Sequence, residues 1–321
     1  MISIIGGSGF IGDRLCALLE GDSQPFINID INEPTRFKDH FHRGDVRDLS
    51  NDEKVFEKSD HIINLAAKHK DNVLPIELYY DVNVEGAKET VRVAEKYGIS
   101  KIIFTSSAAV YGLHNEVVTE DTQFKPFNHY GKSKLKAEEV YLDWQKRTGG
   151  CLIMIRPTVV FGEGNRGNVY NLLRQLNEGN FLMVGDGKNR KSMAYVGNMA
   201  SFINYCSENV NEGLHIFNYS DGPDMTMNAL VELISRKLNK DIPSARIPYV
   251  LGLLGGYGLD LISFLIRKEF SISSVRVKKF CANTQFSSAR VEKTGFKREY
   301  SLLEGLEQTL NYEFGKLALS H

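Results

Sequence analysis

The segment NHYGKSKLKAEEVYLDW, residues 128–144, pairs a tyrosine with a lysine at a spacing that could transfer a proton. Tyr130 and Lys134 are four residues apart, so on a helix they lie on one face, one turn apart. A tyrosine with an ordinary pKa of about 10 is a poor base at neutral pH, and a nearby cation favours its phenolate. Tyr130 is therefore a candidate general acid/base for an alcohol proton.

A serine precedes this helix and could act on the same alcohol oxygen. The run KIIFTSSAAVYG, residues 101–112, predicts an apolar strand that ends in hydroxyl residues, and Ser107 is the candidate hydrogen-bond donor. The Tyr-x-x-x-Lys spacing also occurs by chance in many helices, where it is only a surface pair. The glycine-rich start of the chain favours the catalytic interpretation.

The elements that must position these residues begin with ISIIGGSGFIGDRLCALLEG, which predicts a strand, a glycine turn and a helix. Gly6, Gly9 and Gly12 permit a tight turn, close approach of the backbone to a pyrophosphate, and close packing of helix on strand. The helix N-terminus would then donate N–H groups to the phosphates. We assign Phe10 and Ile11, between the last two glycines, to the same cofactor site.

A carboxylate follows where a nucleotide ribose would need it. Asp30 ends the apolar segment FINIDI, 18 residues after Gly12. A carboxylate there accepts hydrogen bonds from a ribose diol and repels a 2′-phosphate, which favours NAD over NADP, whereas the alternative is a solvated strand-end residue. The segments HRGDVRD and HIINLAA add four predicted cofactor residues: Asp45, Val46, Leu65 and Ala66.

The alternation of apolar strands with helical segments such as GAKETVRVAEKYG predicts an α/β fold, a doubly wound parallel sheet of the Rossmann type. We expect an NAD-binding domain over 1–162, to which 195–218 returns. Residues 163–194 and 219–321 form a smaller mixed α/β substrate lobe in this prediction.

Composition excludes several classes of function. The 321 residues are 42% hydrophobic and 25% charged with a net charge of −1, so no nucleic-acid partner is expected. The four cysteines show no metal-ligand spacing, and we expect no metal site. The apolar start MISIIGG is too short for a signal peptide, so we expect a cytoplasmic protein.

The motifs GGSGFIG, NLAA, TSSAAVYG and YGKSK, together with Asp30, resemble the extended short-chain dehydrogenase/reductase family of nucleotide-sugar epimerases and dehydratases. The resemblance implies NAD that is bound without release, Tyr130 as the base, Lys134 on the nicotinamide ribose and Ser107 on the substrate oxygen.

Three further assignments come from this resemblance. It implies that Asn83 lies beside the cofactor, that Lys68 is the basic residue after the fourth strand, and that Pro157 in IRPTVVFG belongs to the cofactor site. Helix-cap and surface roles remain the alternatives for Asn83 and Lys68. The resemblance also implies a homodimer formed through segments 83–97 and 130–147.

Two alanines indicate which reaction is available. The sugar 4,6-dehydratases resemble STDEVYG where this chain has Ala108 and Ala109, so dehydration lacks its acid and base. Hydride chemistry at one carbinol remains, which predicts a 4-epimerase. A 4-keto-sugar reductase would use the same residues, although Asp30 argues against NADPH. A catalytically silent NAD-binding regulator is opposed by the intact set Tyr130, Lys134 and Ser107.

The family's substrate-facing positions correspond here to Asn168, Lys191 and Arg276. UDP-sugar epimerases resemble VRDYIHV where this chain has RKSMAYV, so Lys191 takes the place of an arginine and Ser192 that of an aspartate. A lysine binds phosphate as a point charge, with less geometric selectivity than an arginine fork. This departure argues against recognition of a free UDP-sugar.

The segment IPYVLGLLGGYGLDLISFLIRK, residues 247–268, is long enough to span a bilayer, for which about 20 residues suffice. Asp260 and four glycines argue against a span. Residues 236–298 hold 13 Lys/Arg against 4 Asp/Glu. The segment is therefore predicted to be either a buried helix of the substrate lobe or an interfacial element on an anionic membrane surface.

Within the family, AAKHKDNVLPIELYYDVNVEG, RGNVYNLL and SSVRVKKFCANTQF resemble bacterial epimerases whose N-acetylglucosaminyl diphosphate substrate is carried on undecaprenol. The resemblance implies NAD-dependent interconversion of GlcNAc and GalNAc on undecaprenyl diphosphate, for O-antigen assembly. Together with the apolar segment in its basic region, it predicts a peripheral enzyme on the inner face of the cytoplasmic membrane. The alternative is a UDP-GlcNAc or UDP-glucose 4-epimerase, or a 4-keto-sugar nucleotide reductase, with a soluble substrate and segment 247–268 as core.

Overall fold

A computed structural model describes residues 1–50, 53–70, 73–241, 245–266 and 273–315, apart from the side chains at positions 53, 264 and 265. Its strands are β1 (Ile2–Ile5), β2 (Phe26–Asp30), β3 (Phe41–Arg43), β4 (His61–Asn64), β5 (Lys101–Thr105), β6 (Cys151–Pro157), β7 (Val159–Phe161), β8 (Met183–Val184), β9 (Arg190–Tyr195), β10 (Leu214–Tyr219), β11 (Asp221–Thr226) and β12 (Arg246–Ile247).

The helices are α1 (Phe10–Gly21), α2 (Glu77–Tyr80), α3 (Gly86–Lys96), α4 (His129–Thr148), α5 (Asn168–Asn177), α6 (Val196–Asn209), α7 (Met227–Leu238), α8 (Tyr249–Ile266), α9 (Ser274–Cys281), α10 (Ala289–Glu292) and α11 (Leu302–Phe314). A π-helical turn, Asp81–Glu85, joins α2 to α3.

Seven strands form one parallel sheet in the order β10-β6-β5-β4-β1-β2-β3. Strands β1, β4, β5 and β6 are buried along their whole length, as expected for strands covered by helices on both faces. Helices α1 and α6 pack on one face of the sheet, and α3 and α4 on the other. The predicted doubly wound parallel sheet is confirmed.

The order of the strands reverses between β1 and β4. The chain runs outward from β1 to β2 and β3, then returns to β4 on the other side of β1. In such sheets ligands bind in the crevice at the carboxyl ends of the strands, where the order reverses. The predicted cofactor residues follow these strand ends.

A second, smaller lobe contains the remaining strands. Strands β11, β9 and β7 form a three-stranded sheet, and β12 pairs with β8. Helices α5, α7 and α11 pack with this sheet around one apolar core. Residues 196–219 leave this lobe and supply α6 and β10 to the main sheet.

Helix α8 covers most of the apolar segment 247–268, and two of its four glycines pack against the lobe. A Cβ added at Gly252 would lie 2.5 Å from Val184 Cγ1, and one at Gly256 would lie 2.8 Å from Ser274 Cα. Asp260 points to the same side, where its Oδ2 accepts a hydrogen bond from the Ser274 N–H at 3.1 Å. The single charge of the helix therefore faces the N-terminus of α9.

The other side of α8 is exposed and apolar: Val250, Leu251, Leu254, Tyr257, Leu261, Ile262 and Ile266. The helix is thus packed on one side only, rather than enclosed in the lobe. Within the described ranges, no helix combines the length and apolar character that crossing a membrane requires.

Candidate active site

The glycine turn after β1 is as tight as its sequence predicts. Gly6 has a φ of +87°, and a Cβ there would lie 2.6 Å from the backbone nitrogen of Ala66. A Cβ at Gly12 would lie 2.5 Å from Gly7 Cα. Because Gly12 has no Cβ, α1 can pack closely on the turn that follows β1, and no described side chain caps the helix at Gly9. The first N–H groups of α1 are therefore available to an anion.

Asp30 lies beside this turn at the end of β2. Its carboxylate accepts hydrogen bonds from the backbone N–H of Ser8 at 3.1 Å and of Asn32 at 2.9 Å. These bonds hold the carboxylate at the carboxyl edge of the sheet, next to the glycine turn. Contact with a ribose remains a prediction.

Asp45, one of the predicted cofactor residues, lines a largely acidic cavity, and Val46 lies next to it in the sequence. Asp45 pairs with Arg47 at 2.5 Å, and hydrogen bonding from this arginine lowers the pKa of the carboxyl. Val46 is buried against Gly86, whose added Cβ would lie 3.0 Å from the valine side chain. Asp45 and Arg47 line a cavity of about 360 Å³ together with Asp48, Asp81 and Glu85.

The loop after β4 is tied to the catalytic helix through Asn83. Asn83 Oδ1 accepts from the Lys68 N–H at 2.9 Å, while Nδ2 donates to the Lys68 carbonyl at 3.2 Å and to Ser133 Oγ at 2.8 Å. Leu65 begins this loop, and its N–H donates to the Ile5 carbonyl at 2.8 Å. Asn83 thus fixes the Lys68 backbone, and neither side chain's predicted contact with the cofactor is tested.

Helix α4 begins at its predicted place because Asn128 caps it. The Asn128 side chain accepts from the Gly131 N–H at 2.9 Å, so Tyr130 and Lys134 fall in the first two turns. A Cβ at Gly131 would lie 2.5 Å from the Ala109 carbonyl oxygen. This glycine lets the helix start pack against the turn that carries Ser107.

Ser107 stands at the end of β5, where its side chain caps a single 3₁₀ turn. Its Oγ accepts from the Ala109 N–H at 3.1 Å. Ala108 and Ala109, which follow it, present only methyl groups at the place where dehydration would need an acid and a base. Pro157 ends β6 at the same edge of the sheet.

Lys134 is buried, and its ammonium has no hydrogen-bond partner in the part of the chain that the structure describes. Its Nζ makes no hydrogen bond to any described atom and lies 4.2 Å above the Phe104 ring. Burial lowers the pKa of the ammonium to about 7, against the opposing effect of Glu138. An unpartnered buried donor of this kind calls for a hydrogen-bond acceptor, which the hydroxyl groups of a bound ligand can supply. A nicotinamide ribose carries such hydroxyl groups. The uncapped N–H groups at the N-terminus of α1 likewise suit a pyrophosphate.

The chain belongs to the NAD dependent epimerase/dehydratase family, whose model matches residues 2–219. It is 49% identical to the N-acetyl-alpha-D-glucosaminyl-diphospho-ditrans,octacis-undecaprenol 4-epimerase of Escherichia coli O157:H7, over 98% of this chain and 95% of that protein. It is 26% identical to the UDP-glucose 4-epimerase of Vibrio cholerae, over 96% of this chain and 94% of that protein.

Solved structures share the fold. The UDP-glucose 4-epimerase of Thermotoga maritima with UDP-glucose superimposes with a TM-score of 0.78 at 20% identity, covering 98% of this chain and 99% of that one. MoeE5 in complex with UDP-glucose and NAD gives 0.77 at 20% identity, with the same coverage. Family, fold and dependence on NAD are thus confirmed, and the enzyme is an isomerase of the epimerase type.

The three predicted substrate residues lie in the second lobe, on different elements. Asn168 is the exposed first residue of α5, and Arg276 is half-buried in α9. Lys191 Nζ donates to the carbonyls of Lys279 and Ala282, both at 2.7 Å, and burial lowers its pKa to about 8. Lys191 therefore fixes the C-terminal end of α9, and contact with a diphosphate remains a prediction for all three residues.

Two features were not predicted from the sequence. One is a cleft of about 790 Å³ whose lining includes Leu113, His114, Val184, Arg246, Ile247, Tyr249, Lys278 and Cys281. The only sequence signal for this cleft is the excess of Lys/Arg over Asp/Glu within residues 236–298, which include Arg246 and Lys278. The other is a buried ion pair beneath the catalytic helix, formed by Glu138 and Arg156.

Proposed function

We propose that this protein interconverts GlcNAc and GalNAc on undecaprenyl diphosphate by transient oxidation at C4, for the assembly of O-antigen or a similar surface polysaccharide. The observation that carries the choice of substrate is the 49% identity, across nearly the whole chain, to an epimerase named for that lipid-linked sugar. The altered loop at Lys191 and the exposed apolar side of α8 support the same choice.

The catalytic residues divide the work of one reversible oxidation. Tyr130 takes the proton of the C4 hydroxyl, Ser107 hydrogen-bonds the same oxygen, and the Lys134 ammonium favours the tyrosine phenolate. NAD, which the glycine turn, Asp30 and Lys134 would hold, would supply the reversible hydride acceptor for C4. The 4-keto sugar turns over before the hydride returns, so Tyr130 gives the proton back with the opposite configuration at C4.

We propose further that the enzyme is peripheral on an anionic membrane surface, where its substrate resides, and that α8 is the contact. The exposed side of α8 is apolar, and the only acid of the helix is turned toward α9. Lys278 lies next to it, with its Nζ 2.8 Å from Tyr257 Oη, and is exposed. An apolar helix side beside basic residues suits a bilayer that contains anionic lipids.

The cleft supports access from that surface. Ile247 and Tyr249, just before and at the start of α8, line it together with Arg246 and Lys278. Asp186 also lines the cleft, so its two cations face one carboxylate, and this excess of positive charge suits a diphosphate. The neighbouring apolar helix suits a polyprenyl chain that leaves the cleft. We place the diphosphate of the substrate in this cleft, with Asn168, Lys191 and Arg276 as further candidate contacts.

We also propose a homodimer formed through segments 83–97 and 130–147. Helices α3 and α4, which these segments contain, pack side by side on one face of the sheet. Light scattering of the purified protein should give twice the mass of one chain, which is 36.2 kDa.

The proposed substrate is tested by offering two donors in parallel. Purified enzyme receives GlcNAc-diphosphoundecaprenol in detergent micelles or UDP-GlcNAc, and released sugars are separated chromatographically. We expect GalNAc from the lipid-linked donor only, and its formation should be about 10²–10⁴-fold slower with Tyr130→Phe. Efficient turnover of UDP-GlcNAc with none of the lipid would establish the alternative epimerase, and consumption of one NADH per sugar would indicate a reductase.

A further inference from the structure

A fully buried ion pair lies between the catalytic helix and the main sheet. Arg156 Nε lies 2.9 Å from Glu138 Oε1, and Nη2 lies 2.7 Å from Oε2. Both residues are 1% exposed. Burying two charges is costly, and an apolar pair of similar size is often as stable. Stability alone is therefore a weak explanation for this pair, and its neighbours indicate a second role.

One neighbour is the strand end that carries Ser107. Ser106 Oγ donates to Glu138 Oε1 at 2.5 Å, and the Ser106 N–H donates to the Ile155 carbonyl at 2.7 Å. Ser106 is the residue directly before Ser107. Glu138 therefore holds the start of the serine turn from the helix side, while β6 holds it from the sheet side.

Arg156 holds the far end of the same turn. Its Nη1 donates to Tyr111 Oη at 2.6 Å, and Tyr111 Oη donates to Asn218 Oδ1 at 2.8 Å. The guanidinium also lies over the rings of Tyr111 and Phe124, at 5.1 and 4.8 Å. Tyr111 directly follows the 3₁₀ turn at 108–110, and Ser106 lies shortly before it. The ion pair therefore fixes this turn at both of its ends.

The other neighbour is Lys134, one helical turn before Glu138. In the loop after β4, His69 interacts electrostatically with this ammonium and with Lys68 and Lys70, and Arg156 lies on β6. Glu138 is the one described carboxylate that favours its charged form. Residues four apart on a helix are close neighbours, so this interaction is short-range.

We propose that Glu138, paired with Arg156, is a positioning residue for the epimerase reaction. Through Ser106 it fixes Ser107 at the substrate oxygen, and by its charge it keeps Lys134 protonated beside Tyr130. This inference rests on the proposed proton transfer at Tyr130, and the test includes a measurement that needs no sugar substrate.

The test uses Glu138→Gln, which keeps an acceptor for Ser106 but removes the charge. The double variant Glu138→Gln/Arg156→Met removes both charges and avoids an unpaired buried guanidinium. Titration of Tyr130 is followed by its phenolate absorbance, as the difference between each protein and its Tyr130→Phe counterpart. We expect the midpoint to rise by about one pH unit in both variants, the lower end of the range for loss of a close opposite charge.

With substrate, the apparent pKa of the acidic limb of the kcat/KM profile should rise by the same amount. At pH values below the midpoint, kcat/KM should therefore be about tenfold lower than in the unaltered protein. Ser106→Ala should lower kcat with little change in this pH profile. The control is Asp221→Asn/Arg298→Met, an ion pair at 3.0 Å in the other lobe in which Asp221 is buried and Arg298 is partly exposed; it should leave the Tyr130 midpoint unchanged.

A folded double variant whose Tyr130 midpoint and pH profile match those of the unaltered protein would overturn the proposal. A wild-type enzyme that is inert toward both sugar donors would refute the proposed substrate, whereas the titration would still decide the role of Glu138. Full activity in Ser106→Ala would remove the positioning of Ser107 from the proposal.

Discussion

The exposed side of α8 gives a quantitative prediction for membrane binding. Leu254 and Leu261 are 60% and 61% exposed. Burying the three carbons by which leucine exceeds alanine contributes about 2.4 kcal/mol, of which the exposed 60% is about 1.4 kcal/mol per residue. Leu254→Ala/Leu261→Ala therefore removes at most about 2.8 kcal/mol of transfer free energy. If the interface buries half of this area, the loss is about 1.4 kcal/mol, or tenfold in affinity.

Flotation with vesicles that contain an anionic lipid measures this loss. The matched control is Leu214→Ala/Leu303→Ala, since these leucines are 42% and 46% exposed on β10 and α11. We expect about tenfold weaker binding for the α8 variant, unchanged binding for the control, and weaker binding of all proteins in high salt. Equal binding of the two double variants, or binding that salt does not change, would refute the reasoning.

Three further perturbations test the site and its support. Tyr130→Phe should lower turnover by about 10²–10⁴-fold while extracted NAD stays at the wild-type amount, because only the acid/base hydroxyl is lost. Gly12→Ala places a methyl 2.5 Å from Gly7 Cα, so cofactor content and Tm should fall, whereas the exposed Gly21→Ala should preserve both. Burial lowers the pKa of His61 from 6.5 to about 4, so the folded state binds fewer protons in that window. The free energy of unfolding should therefore fall by up to about 3 kcal/mol when the pH is lowered from 6.5 to 4. In urea titrations, His61→Gln should reduce this dependence of the unfolding free energy on pH.

The sequence predicts those parts of the site whose residues lie close together along the chain. The glycine turn, Asp30 at a strand end and the Tyr130–Lys134 pair each depend on residues within one strand, turn or helix. Continuous apolar runs predict buried parallel strands, and the carboxyl ends of such strands meet at one edge. For that reason the sheet and the position of Ser107 at its edge follow from local patterns, whereas the assignment of Pro157 came from the family resemblance.

The other contacts join residues that no local period connects. Lys191 binds the carbonyls of Lys279 and Ala282, 88 and 91 residues away. Glu138 and Arg156 meet because α4 lies on β6, although each residue type is ordinarily read as a surface charge. Such pairings depend on how the lobes and layers pack, and a single sequence holds no signal for them.

Helix α8 is intermediate between these two cases. The spacing of its residues along the sequence says more about its orientation than the number of its charged residues does. Gly252, Gly256 and Asp260 recur every four residues and so share one side, the side that packs against Val184 and Ser274. The exposed apolar residues at 250, 254, 257 and 261 follow the complementary spacing. A surface helix normally turns its polar residues to water, whereas this one turns its only charge inward. The charge of Asp260 therefore argues against a membrane span. Its orientation toward α9 argues for an interfacial helix, because the exposed side of α8 then carries no group that a membrane surface would exclude.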